Sequence, residues 1–225
     1  MMQSTVAKTL RAGLAGLALL AMAHAHAQTV ELLVKHLAES LGADGIKRST
    51  EFSERLTRSL DSVWISRVLP SGAHSGHDHA KGGEAHKHVD VSTASRWITR
   101  ALNGDIALRL VPNDEKVLVT VTKTDYGNVG FDGSWAAAWS LIDPATLKRM
   151  KAGPVVGDLT TYTLVEKDRM LKVVWNAKLQ IPMRVESSDA SSRRQTVVQV
   201  LGAPASRPWD RLQGFTQKDY SDYLD

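Results

Sequence analysis

The chain has 225 residues, a formal net charge of +4 and no cysteine. Without cysteine it can carry neither a disulfide nor a thiolate metal site, and it cannot be anchored through a lipid-modified N-terminal Cys. Its basic residues are scattered along the chain and form no stripe, so we expect no nucleic-acid partner.

The first 27 residues have the pattern of a cleavable export signal. Lys8 and Arg11 precede an apolar run over 12–22, and the alanines of 23–27 give the small-x-small pattern that signal peptidase recognises. The run is shorter than the roughly 20 residues that span a bilayer. We therefore expect residues 1–27 to be removed, which leaves a soluble periplasmic protein that does not span a membrane.

Residues 28–225 are expected to form a single β-rich domain that begins with a helix. The apolar residues after the signal recur at helical spacing, namely Val30, Leu33, Val34, Leu37 and Leu41. Gly42 is positioned to end such a helix. His36 falls on this predicted helix and is expected to have no ligand role.

The rest of the chain is dominated by predicted strands. Those before residue 130 cover 63–69, 96–102, 106–111 and 116–122, and those after it cover 158–166, 171–175, 181–187 and 195–200. Residues 136–141 and 144–150 interrupt the strand pattern. The second segment is predicted to be a helical turn capped by Asp143 with Pro144 at its first position, and the first is a candidate for a short helix. The fold class is therefore α+β, a curved antiparallel sheet with an N-terminal helix and short covering helices. The segment 49–60 is ambiguous, and 215–225 is either a last helical turn or a frayed tail.

One hairpin resembles a known family. Leu171–Asn176 and Ile181–Ser188 are similar to the penultimate hairpin of periplasmic proteins related to the outer-membrane lipoprotein carrier. In that superfamily a strand that ends in Trp or a similar residue turns through four residues and a Leu-Pro or Ile-Pro pair into a strand of alternating basic and acidic residues. The resemblance implies an open half-barrel that shelters acyl chains under helices, and a non-catalytic carrier for a hydrophobic or lipidic ligand. A carrier of this kind also implies a protein partner at the outer or inner membrane.

Five tryptophans are candidates for the aromatic wall of such a ligand site: Trp64, Trp97, Trp135, Trp139 and Trp175. If 135–139 is helical, Trp135 and Trp139 share one face of the helix, which is then either a lid over the cavity or a helix packed closely on the sheet. Plain core packing is the competing interpretation for each of them, because a tryptophan on an amphipathic strand is usually buried.

A histidine-rich loop at 71–89 gives a second candidate site. Its histidines are His74, His77, His79, His86 and His88. If Gly82-Gly83 forms a two-residue hairpin turn, His79 faces His86 and His77 faces His88, and all four imidazoles project from one side. Imidazole suits Zn(II), Cu(II) or Ni(II), and His74 could be a supplementary ligand. The alternative function is therefore periplasmic metal binding or sensing, and the competing interpretation of the loop is a flexible, solvated segment.

The sequence gives little indication of an enzyme. It contains no nucleophile elbow of the G-x-S-x-G type, no H-E-x-x-H helix and no phosphate-binding glycine loop. We therefore expect a non-catalytic protein.

The metal hypothesis predicts the behaviour of a quadruple variant. Replacing His77, His79, His86 and His88 by Ala should remove tight Zn(II) or Cu(II) binding, because it removes the opposed imidazoles. Titration calorimetry of the untagged protein measures this, and His36→Ala is the control. Unchanged isotherms in the quadruple variant would rule out the hairpin site.

Overall fold

The structure, a computed structural model, describes residues 29–69, 90–113 and 115–223. Twelve strands within these residues form one large, curved and unclosed sheet. In chain order they are β1 (Val30–Leu41), β2 (Lys47–Arg58), β3 (Ser62–Val68), β4 (Ser95–Arg100), β5 (Ile106–Val111), β6 (Val117–Val121), β7 (Lys151–Val156), β8 (Leu159–Glu166), β9 (Arg169–Asn176), β10 (Ile181–Ser188), β11 (Ser192–Gly202) and β12 (Thr216–Asp219).

The strand order across the sheet is β12-β6-β5-β4-β3-β2-β1-β11-β10-β9-β8-β7. Two meanders, β1 to β6 and β7 to β11, meet where β1 pairs with β11, with Val34 opposite Val198. Neighbouring strands are antiparallel except β12, which runs parallel to β6. The predicted curved antiparallel sheet is therefore confirmed, with one parallel pair at its edge.

The helical segments are short. Between β6 and β7 lie a 3₁₀ helix over Lys123–Val129, the α-helix α1 over Trp135–Ser140 and a 3₁₀ helix over Pro144–Arg149. The predicted cap is present, because the Asp143 side chain accepts a hydrogen bond from the Ala145 N–H. Two more 3₁₀ helices, Pro208–Leu212 and Tyr220–Tyr223, flank β12. Within the described ranges, no helix has the length and apolar character needed to cross a membrane.

The two faces of the sheet have different cores. The inner face carries the main core, which contains Leu32, Leu56 and Ile98 and packs against the 3₁₀ helix of Lys123–Val129 and against α1. The outer face carries a smaller cluster around Trp64, which the segment 209–215 covers. Because side chains alternate along a strand, the covering helices pack on one face and the segment 209–215 packs on the other.

The predicted N-terminal helix over 30–41 is wrong, because this segment is β1. Leu32 and Val34 are 0% and 1% exposed on the inner face, which is the period of a strand. Val30, Leu32 and Val34 fit the period of a strand, whereas Val30, Leu33, Val34, Leu37 and Leu41 fit the period of a helix. The sequence pattern alone therefore does not decide between the two. Hydrogen-bonded ladders to β2 on one side and β11 on the other favour the strand. Gly42 lies in the β1–β2 turn, where its N–H donates to the Ile46 carbonyl.

The structure also resolves the ambiguous segments. Residues 49–60 mostly belong to β2, and the strands β7 and β12 were not predicted. In the C-terminal segment, a helical turn or a frayed tail was expected, and a 3₁₀ helix is found over Tyr220–Tyr223. Both tyrosines are 8% exposed and belong to the main core. The end of the chain therefore contributes to the core.

A chain that ends at Gly214 should be markedly less stable. Truncation removes β12 together with two buried aromatic side chains, Tyr220 and Tyr223. Loss of large core side chains costs several kcal/mol, so the melting temperature should fall by more than about 6 °C. Differential scanning calorimetry compares it with a chain that ends at Tyr223, and equal melting temperatures would contradict this role.

Candidate functional site

A cavity of about 410 Å³ lies where α1 meets one end of the inner face. This volume is in the range of pockets that bind small ligands, roughly 300–1,000 Å³. Its walls come from the start of β1, the ends of β2 and β11, the β9–β10 turn and α1. The lining residues are Thr29, Val30, Arg58, Ser59, Trp139, Lys178, Leu179, Gln180, Val200, Gly202 and Ala203.

Local caps and one long-range hydrogen bond fix the position of α1. Ser134 caps the helix, because its hydroxyl accepts a hydrogen bond from the Ala137 N–H at 3.1 Å. Leu141, in the left-handed region with a φ of 64°, ends it after six residues. The indole Nε1–H of Trp139 donates to the Ser59 carbonyl at 2.7 Å, which ties α1 to the end of β2. The helix therefore forms a fixed wall of the cavity.

Arg58 is the central polar residue of this cavity. It is the last residue of β2 and only 4% exposed. Its Nη1 donates to the Trp139 carbonyl at 2.6 Å, its Nη2 donates to the Leu179 carbonyl, and its guanidinium carbon lies 3.6 Å from the centroid of the Trp139 ring. One side chain thus connects the sheet, α1 and the β9–β10 turn.

Burial changes the acidity of this arginine. Removal from water lowers the pKa of Arg58 to about 10. The side chain is still protonated at neutral pH, so the cavity wall holds a buried positive charge.

The five predicted tryptophans lie at three places. Trp139 lines the cavity, and Trp135 packs against the same core. Trp64 and Trp97 face each other across β3 and β4 on the outer face. Trp175 packs beside Leu147 and Met150, under the 3₁₀ helix of Pro144–Arg149. The structure therefore places one of the five, Trp139, in the cavity wall. A ligand contact for each of the five stays a prediction.

A second polar group lies farther along the inner face of β1 and β2. His36 Nδ1 is 3.1 Å from the Thr196 hydroxyl, and its Nε2 is 3.4 Å from Glu54 Oε2 without hydrogen-bonding geometry. Arg96 Nη2 donates to Glu54 Oε1 at 3.0 Å. Phe52 stacks on the His36 ring, with 4.6 Å between the centroids. These half-buried side chains form one connected polar cluster.

The charges around Glu54 counteract the effect of burial on its pKa. Burial by itself raises the pKa of this carboxyl group. Contact with His36 and the positive charges of Arg96 and Arg67 lower the pKa by more than burial raises it, so the pKa lies below its usual range. Glu54 therefore stays ionised at neutral pH, as the anion of the cluster.

Sequence reasoning missed both polar features. Arg58 lies within the segment 49–60, which the sequence left ambiguous, and His36 was placed on a predicted helix that is in fact β1. A period of two over 52–58 would have put Phe52, Glu54, Leu56 and Arg58 on one face. The carbonyl partners of Arg58 are 81 and 121 residues away, so no local pattern could have indicated them.

The histidine loop at 71–89 lies outside the described residues, so its metal site stays a prediction. In the ranges that the structure covers, no group of three His, Asp or Glu side chains is arranged to hold a metal ion.

Comparison with known proteins finds distant structural similarity. No family model and no curated protein sequence matches the chain. A LolA superfamily protein from Nitrosomonas europaea is 7% identical, with a TM-score of 0.37 over 83% of this chain and 90% of that one. A DUF1329 family protein from Desulfovibrio piger is 8% identical, with a TM-score of 0.36 over 81% and 89%.

A further similarity is to a chain in the MucA/MucB complex of Pseudomonas aeruginosa. It is 14% identical, with a TM-score of 0.27, and the match covers 84% of this chain and 56% of that one. The predicted resemblance to the lipoprotein-carrier superfamily is confirmed as a distant one.

Replacing Glu54 by Gln should destabilise the fold at neutral pH by about 2 kcal/mol, because Arg96 loses its carboxylate. The folded pKa of Glu54 is lowered, so its contribution is present above about pH 4.3, the usual value for the unfolded chain, and is lost as the pH falls through the folded value. Urea unfolding from pH 3 to pH 7 measures this.

The control for this substitution is Glu51→Gln, since Glu51 is an exposed carboxylate of the same strand. It should change the stability little at any pH. A loss of unfolding free energy in Glu54→Gln that is as large at pH 3 as at pH 7 would contradict the assigned charge interaction.

Proposed function

We propose that this chain is a non-catalytic periplasmic carrier for a hydrophobic or lipidic ligand. The observation that carries the proposal is the cavity between α1 and the inner face, whose wall contains Val30, Trp139, Leu179 and Val200. Apolar and aromatic side chains with a few convergent polar groups are typical of small-molecule sites.

The chemistry of the wall supports binding rather than catalysis. The described residues that line the cavity include no carboxylate, imidazole or thiol. General acid–base and nucleophilic catalysis at neutral pH use such groups in paired arrangements. The wall offers apolar contact and fixed positive charge, which suit recognition.

The place of action follows from the leader pattern. Residues 1–27 support export to the periplasm, where an acyl chain must be shielded from water between the two membranes. A carrier there exchanges its ligand with a protein at the outer or inner membrane, and we propose such a protein as the partner.

Filling the cavity tests this function. In Val200→Trp, an indole should occupy the space beside Leu179 and weaken binding of the neutral fluorophore N-phenyl-naphthylamine by at least about tenfold, or about 1.4 kcal/mol. Fluorescence titration of the untagged mature protein measures the affinity. The control is Val165→Trp, since Val165 is 67% exposed on β8 and away from the cavity wall.

Two results would contradict the proposal. One is wild-type protein that binds no fluorophore and carries no lipid mass in native mass spectrometry after isolation from the periplasm. The other is equal fluorophore affinity in the two valine variants, since binding would then lie elsewhere.

A further inference from the structure

The Arg58 guanidinium has hydrogen-bonding capacity that the protein does not use. A guanidinium carries five N–H donors. Two go to the Trp139 and Leu179 carbonyls, while Nε has no partner among the described residues although it is shielded from solvent. A buried donor without an acceptor is costly, so the Nε–H of Arg58 calls for an acceptor from outside the described residues, such as an anion or a water.

The charge of Arg58 is also uncompensated. It forms no ion pair with any carboxylate in the described part of the chain, whereas Arg48, Arg55, Arg96 and Arg207 each form one. Carbonyl groups and the Trp139 ring satisfy part of the cation, but they carry no net negative charge. Leaving a buried charge without a counter-ion is unfavourable, and an anion that enters the cavity would remove this cost.

The other charged residue of the cavity lining, Lys178, is also positive. Lys178 is an exposed part of the lining, and the described lining residues include no Asp or Glu. The positive charges therefore stand at the buried wall and at the exposed part of one cavity whose other walls are largely apolar. An amphiphile with a negative head matches both properties, whereas an ammonium head would meet like charge.

We propose that this cavity selects an amphiphile with an anionic head group, a carboxylate or a phosphate, which accepts hydrogen bonds from the unused N–H groups of Arg58. The inference rests on the proposed carrier function and names the ligand class of the same cavity. The apolar chain of the ligand contacts Val30, Leu179 and Val200, and the head contacts Arg58. A planar guanidinium suits either anion because it can donate two parallel hydrogen bonds.

Four probes with the same twelve-carbon chain test the proposal in the wild-type protein. They are dodecanoate, dodecyl phosphate, dodecanol and dodecylammonium, each titrated below its critical micelle concentration by calorimetry. The better of the two anions should bind at least about tenfold tighter than dodecanol, and dodecylammonium should bind weakest. The ratio between the two anions distinguishes a fatty acid from a phosphorylated lipid.

Substitution of Arg58 locates the selectivity. Arg58→Gln should bring the affinity for the better anion to within about threefold of the same variant's affinity for dodecanol. Arg58→Lys retains the charge and should keep part of the preference. Arg55→Gln is the matched control, because Arg55 lies on the same strand, is 52% exposed and pairs with Glu31. It should keep the wild-type order of affinities.

The outcomes separate this inference from the carrier function. If wild-type protein binds dodecanol and the anions equally, the anion selectivity is overturned and the carrier function stands. If no probe binds, both fail. If Arg58→Gln does not fold, the wild-type order of the four probes still decides, since a preference for dodecanol or dodecylammonium would overturn the proposal.

Discussion

The pairing of β1 with both β2 and β11 is the constraint on which the rest of the molecule depends. β1 joins a meander built from the first half of the chain to one built from the second half, and without it the sheet would be two separate sheets. The same pairing sets which face each side chain takes, because a shift of one residue would move Leu32 and Val34 to the outer face. Val30 and Val200 reach the cavity through this register, one from each partner strand.

Arg58 adds a second connection, between parts of the molecule that the strand pairing does not join. Its carbonyl partners belong to α1 and to the β9–β10 turn, so a single side chain holds together elements that do not pair through the sheet. The cation that stabilises this junction also gives the adjoining cavity its sign. Farther along the same face, the cluster of His36, Glu54 and Arg96 contains its own anion. The inner face therefore has two polar regions, one internally neutralised and one not.

Sequence patterns predicted most strands and the capped helical segments, since alternation, turn residues and the Asp143-Pro144 cap are local signals. They failed at β1, because its Leu and Val residues include one set with helical spacing and another set with the spacing of a strand. Only the ladders to β2 and β11 decide between the two. Trp139 was identified because aromatic residues indicate ligand walls. Arg58 was not, because a buried arginine is recognised by partners that come close only after folding.

The β1–β11 ladder also affects how the chain folds. Val34 and Val198, which face each other in it, are separated by most of the sequence. Such long-range pairing forms slowly because it requires closure of a very long loop. A chain that is synthesised from its N-terminus can form the hairpin of β1 and β2 early, but the other edge of β1 stays unpaired until residues 192–202 have been made. That open edge is an aggregation hazard during this interval, and the charged residues Lys35 and Glu39 along it oppose incorrect strand pairing.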